Sequence, residues 1–168
     1  MNVFPTRILL ASDGSESAAH ATEVAVELSK KTHSELHVLY VSEYSTASLY
    51  PQAADTAWVV QEDLASLEEQ GQQFEEVARQ TLDAEVQQVR EVGGTVAQAH
   101  LRTGTPAAEI VELAEELEVG LVVIGSRGLG GIRRALMGTV SDSVVRHAHC
   151  PVLVVRKEEE PSRDESGT

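Results

Sequence analysis

Two patterns alternate along the chain: short apolar runs, and stretches whose apolar residues recur at helical spacing. Arg7-Ile8-Leu9-Leu10-Ala11-Ser12 is a run of the kind that forms a buried strand, and it breaks at Asp13-Gly14-Ser15. Ala21, Val24, Ala25 and Leu28 then recur at i, i+3, i+4 and i+7, one face of a helix. Glu35 to Val41 predicts a second strand, and residues 42 to 57 a loop. A long helix follows to about Val92, with Val60, Leu64, Leu67, Phe74, Ala78, Leu82 and Val89 on its apolar face. Gly71 interrupts that helix at moderate cost, and Gly93-Gly94 ends it. Thr95 to Leu101 predicts a third strand.

Thr105-Pro106 starts the next helix, with Thr as cap and Pro at the first helical position. Ile110, Leu113, Ala114 and Leu117 form its apolar face, and Gly120 is expected to close it. Leu121-Val122-Val123-Ile124 is apolar on both faces, as a central parallel strand should be. A last helix begins at about Thr139, which is expected to cap it, with Asp142 at capping-box spacing. Pro151 ends that segment, and Val152 to Val155 is the final strand.

Five strands alternating with four helices predict an α/β fold: one domain, an open parallel sheet with helices on both faces, Rossmann-like. The domain is expected to span residues 1–156. The polar segment 157–168, with nothing to bury, is expected to be a disordered acidic tail. Such sheets bind ligands at the carboxyl ends of their strands, where the strand order reverses. If the first and fourth strands are neighbours, Ser12-Asp13 and Gly125-Ser126 face one crevice.

Charge narrows the ligand classes. The 168 residues carry a formal net charge of -14, which argues against a nucleic-acid partner and against anionic membranes. No apolar run is long enough to span a bilayer. The N-terminal segment lacks the pattern of a signal peptide, and the single Cys150 suits a reducing compartment, so a cytoplasmic location is expected.

Within this acidic chain, no Asp or Glu lies between Glu118 and Asp142, whereas Arg127, Arg133 and Arg134 fall inside that window. The same window holds Gly125, Gly128 and Gly138-Thr139. Glycines let backbone N–H groups approach an anion closely, and a helix N-terminus adds unpaired donors and partial positive charge. The stretch is a candidate phosphate site, with Arg127 the best placed of the three arginines.

Other constellations carry less. His147-Ala148-His149-Cys150 is too closely spaced for a usual zinc pattern. His147 is expected at a helix end and Cys150 as a small core residue. Asp13 has two compatible uses, a ligand role and a cap for the first helix.

Gly125-x2-Gly128-x9-Gly138-Thr139, followed by Cys150-Pro151-Val152-Leu153-Val154-Val155, resembles the ATP-binding branch of the universal stress protein family. The opening Ile8-Leu9-Leu10-Ala11-Ser12-Asp13-Gly14-Ser15 resembles the family's first strand and turn. The resemblance implies a sheet of order 3-2-1-4-5, a homodimer, and ATP with Mg²⁺ or Mn²⁺ at the junction of strands one and four. It places Ala11, Ser12 and Asp13 at that junction, with Asp13 near the ribose and the metal. The Val41 backbone falls at the adenine position. Gly125, Gly128, Gly138 and Thr139 fall around the ribose and phosphates, and Arg127 and Val140, beside them in the sequence, are expected to join them. Pairing of Val152–Val155 with its counterpart in a second copy would cover an apolar edge and account for the dimer.

The function expected is a nucleotide-dependent stress-response or signalling module. Two alternatives stand beside it: a slow ATP-hydrolysing enzyme and a nucleotide-free dimeric scaffold. Related folds that transfer adenylyl groups use a His-x-Gly-His motif near the first strand; here that place reads Ser12-Asp13-Gly14-Ser15.

Overall fold

The computed structural model describes residues 6–43, 61–126 and 138–156. Within these residues the elements follow one another as β1 (Arg7–Ser12), α1 (Glu16–Thr32), β2 (Glu35–Ser42), α2 (Gln61–Glu91), β3 (Gln98–Thr103), α3 (Pro106–Glu116), β4 (Leu121–Gly125), α4 (Thr139–His147) and β5 (Val152–Val155). The strands form one parallel sheet in the order β3-β2-β1-β4-β5.

The alternation of side chains along β1 divides the core between the two sheet faces. Ile8 and Leu10 pack with Ala21, Ala25 and Val26 of α1 and with Leu82 and Val89 of α2. Leu9 and Ala11 pack with Ile110, Leu113 and Ala114 of α3 and Val144 of α4. Helices therefore cover both faces, and β1 and β4, at the centre, are almost fully buried.

Several ends differ from the sequence-based expectation, each for a local reason. β3 lies later than predicted, at Gln98–Thr103, because its pairing with β2 starts only at the His37–Gln98 step. It is an edge strand with half-exposed residues, so its polar end at Arg102-Thr103 gave no apolar signal. α3 is closed by Glu118 rather than Gly120: Glu118 takes a left-handed φ of 49°, and the Val119 amide reaches back to Ala114 O at 3.1 Å. The Gly120 amide instead donates to Arg7 O at 3.0 Å, continuing the ladder of β4 on β1. Thr105 is the N-cap of α3 by position, but its hydroxyl makes no capping bond.

α2 runs unbroken through Gly71. Ala78, Leu82 and Val89 of its apolar face are buried, whereas Phe74 is 38% exposed and outside the core. Among the described residues no helix is long and apolar enough to cross a membrane.

Candidate functional site

The strand order reverses between β1 and β4: from β1 the chain builds outward to β2 and β3, then returns to add β4 and β5 on the other side. Ala11 pairs with Ile124, so Ser12 and Gly125 end the two strands side by side. Asp13 and Gly14, just beyond β1, are exposed. The first and fourth strands are thus neighbours, as the crevice requires.

Two helices begin at this edge, one on each face of the sheet. α1 is capped by Ser15, whose hydroxyl accepts from the Ala18 amide at 3.2 Å. Asp13 is therefore not the cap. Its Oδ1 accepts from the Ser15 amide at 2.9 Å, holding the turn between β1 and α1. Gly14 in that turn has φ +79°, a conformation that costs little only without a side chain.

α4 begins at the end of β4. Its N-cap is Gly138, not Thr139, and no side chain caps it. The expected capping box is absent, since the Asp142 carboxylate pairs with Arg146 Nε at 2.9 Å. Thr139 is the first helical residue and is exposed. Two bonds fix this helix start: the Gly138 amide donates to Ser126 O at 2.6 Å, and the Ser141 hydroxyl donates to Gly125 O at 2.7 Å. The first helical amides have no carbonyl of their own helix to bond, so the N-terminus offers donors and partial positive charge.

Gly125 sits where a side chain cannot. A Cβ there would lie 2.9 Å from the Ser17 carbonyl carbon and 2.9 Å from its hydroxyl. The close approach that makes Gly125 necessary is to α1.

Of the residues singled out from the sequence, Ala11, Ser12, Asp13, Gly125, Gly138, Thr139 and Val140 come together along the ends of β1 and β4 and the start of α4. Val41 lies near the end of β2, half-buried, one strand away. Arg127 and Gly128, like Arg133, Arg134 and the segment 157–168, lie outside the described residues.

Glu85 escaped the sequence reading. It projects from α2 to the end of β1, is only 5% exposed, and accepts from the Ser12 hydroxyl at 2.5 Å. Burial pushes its carboxyl pKa up, the Ser12 bond opposes that, and the nearby Asp13 charge adds to it. The signal was present: Glu85 falls on the same helical face as Leu82 and Val89, an acid within an apolar stripe.

The histidines and Cys150 form no site here. His147 ends α4, with Nδ1 2.8 Å from Ser143 O. Cys150 is half-buried against the α3/α4 face, and burial raises its thiol pKa, so it is a poor nucleophile. Among the described residues no group of three or more His, Cys, Asp or Glu is arranged to hold a metal.

The profile of the Universal stress protein family matches residues 5–156. The chain belongs to the universal stress protein family. A universal stress protein of Methanocaldococcus jannaschii is 33% identical over 151 residues, covering 90% of this chain and 82% of that protein. The solved universal stress protein UspA from Lactobacillus plantarum superposes with a TM-score of 0.70 at 26% identity, covering 92% of this chain and 100% of that one. The universal stress protein from Archaeoglobus fulgidus, solved in complex with dAMP, has a TM-score of 0.56 at 23% identity and covers 92% of this chain and 99% of its own. The sheet order and the placement of helices on both faces are those of a universal stress protein domain.

Proposed function

We propose that this chain is an ATP-binding universal stress protein, acting as a homodimeric, nucleotide-dependent module of the cytoplasmic stress response. The observation that carries the reading is the convergence of the α4 N-terminus, without a side-chain cap, with the Ser12-Asp13-Gly14 turn where the strand order reverses. The solved relative holding dAMP supports an adenine nucleotide as the ligand class.

In this reading the amides of Thr139 and Val140 and the Thr139 hydroxyl donate to phosphate oxygens. Gly125 and Gly138 keep the backbone close to the ligand, and Ala11 and Ser12 form the floor. Arg127 and Gly128 complete the phosphate contacts, and the Val41 backbone meets the adenine. Asp13 is the described carboxylate best placed for the ribose or for a divalent cation. One protein carboxylate fits Mg²⁺, which usually keeps several waters and binds through phosphate oxygens as well. A bound cation would supply charge neutralisation for the phosphates.

Binding that favours one conformation or one partner surface would pass nucleotide level to an output. Gly128→Val tests the site. It is expected to abolish ATP binding in calorimetric titration while the thermal unfolding transition persists; retained affinity would contradict the assignment.

A further inference from the structure

We propose that Glu85 is a positioning residue for the crevice, acting through the Ser12 hydroxyl to hold the Ser12-Asp13-Gly14 turn in its binding geometry, a role that depends on the crevice being a nucleotide site. Among the described residues Glu85 is the one buried carboxyl group. Its position on α2 lies on the stripe that packs Ala78, Leu82 and Val89 into the core, where an aliphatic side chain would avoid the cost of desolvating a carboxyl. Burying an acid beside an anion-binding crevice is also electrostatically unfavourable. Packing alone therefore gives no reason for Glu85.

The hydrogen bonds supply one. Ser12 is itself buried, and its hydroxyl proton is directed at Glu85 Oε2, 2.5 Å away. With the proton so placed, the hydroxyl oxygen faces the Gly14 amide at 3.4 Å. Glu85 Oε1 also lies near Gly14, 3.6 Å from where a side chain there would begin. The turn is thus braced at both ends: Glu85 and Ser12 hold Gly14, and Asp13 Oδ1 holds the Ser15 amide. Remove the Glu85 acceptor and the Ser12 hydroxyl is free to rotate. The Gly14 amide then loses its partner, and Asp13 is no longer held at one orientation.

The test compares wild type, Glu85→Ala and Glu85→Gln by calorimetric titration with ATP and Mg²⁺, alongside hydrogen exchange of the Gly14 and Ser15 amides without nucleotide. Glu85→Ala is expected to weaken ATP by about tenfold, the scale of one hydrogen bond to a charged group. It is also expected to speed exchange at both amides. Glu85→Gln, whose carbonyl can still accept from Ser12, is expected to stay within about threefold of wild type. A purely structural role would lower thermal stability in Glu85→Ala without changing affinity or local exchange, and that result overturns the inference. Equal losses in Glu85→Gln and Glu85→Ala overturn it too, by pointing to charge rather than to an acceptor. If Glu85→Ala does not fold, Ser12→Ala carries the test with the same expected losses. Absence of binding by wild type overturns the nucleotide reading instead, and unchanged amide exchange then overturns the bracing as well.

Discussion

At Gly125 the space a side chain would occupy is already taken by the backbone and hydroxyl of Ser17. Gly125→Ala is therefore expected to destabilise the fold by about 1–3 kcal/mol, because backbone atoms must move to admit a methyl group. Urea unfolding of the two proteins measures this, and an unchanged midpoint would contradict the packing. His37 and His100 set a second expectation at this scale. His37 is buried on β2, and its Nδ1 lies 3.1 Å from His100 Nε2 on β3, with the rings stacked. Burial, then the His37 and Arg102 charges, hold the His100 pKa below its usual value. A depressed histidine binds fewer protons folded than unfolded. Its contribution is complete above the unfolded value of about 6.5 and is lost as pH falls through the lower folded one. Chemical denaturation at pH 8 and pH 5.5 should show His100→Gln losing less stability toward acid than wild type does; an identical pH dependence in the two proteins would contradict this.

The two helix starts at the crevice are built differently, and substitutions should separate them. Ser15 caps α1 through its hydroxyl, so Ser15→Ala is expected to cost about 1 kcal/mol of stability. Thr139 caps nothing in α4; Thr139→Ala is expected to change stability by less than about 0.5 kcal/mol while weakening ATP. Thermal unfolding with parallel titration distinguishes the two, and a large stability loss in Thr139→Ala would contradict the assigned cap. Buried elements were legible in the sequence: the runs of β1 and β4 and the apolar face of α3 all marked their own positions. The bounds of the edge strand β3 are not legible, because exposure removes the apolar signal from its last residues. The α4 cap is not legible in the sequence because Gly138 and Thr139 both suit a helix start, and only the backbone conformation decides between them. Glu85 could not be matched to Ser12 from the sequence, since the two are 73 residues apart and meet only once α2 lies on the sheet.

At the scale of the whole molecule, the edge strands among the described residues are β3 and β5. β5 is short and apolar, with Val152 and Val154 half-buried and Val145 of α4 44% exposed. Such an edge invites pairing, and a second copy would cover it. Val145→Lys, at an exposed position outside the core, is expected to leave the circular dichroism spectrum unchanged and to shift sedimentation toward monomer if a second copy covers this edge; unchanged sedimentation would place any interface elsewhere. The sheet order, the reversal point and the two helix starts converge on one edge, and nucleotide is expected to occupy it. Calorimetric titration of the nucleotide-stripped, folded protein with ATP and Mg²⁺ decides whether it does. Saturable binding near one nucleotide per chain is the predicted result. No heat of binding from verified, ligand-free, folded protein would contradict it and leave the crevice as architecture retained without nucleotide.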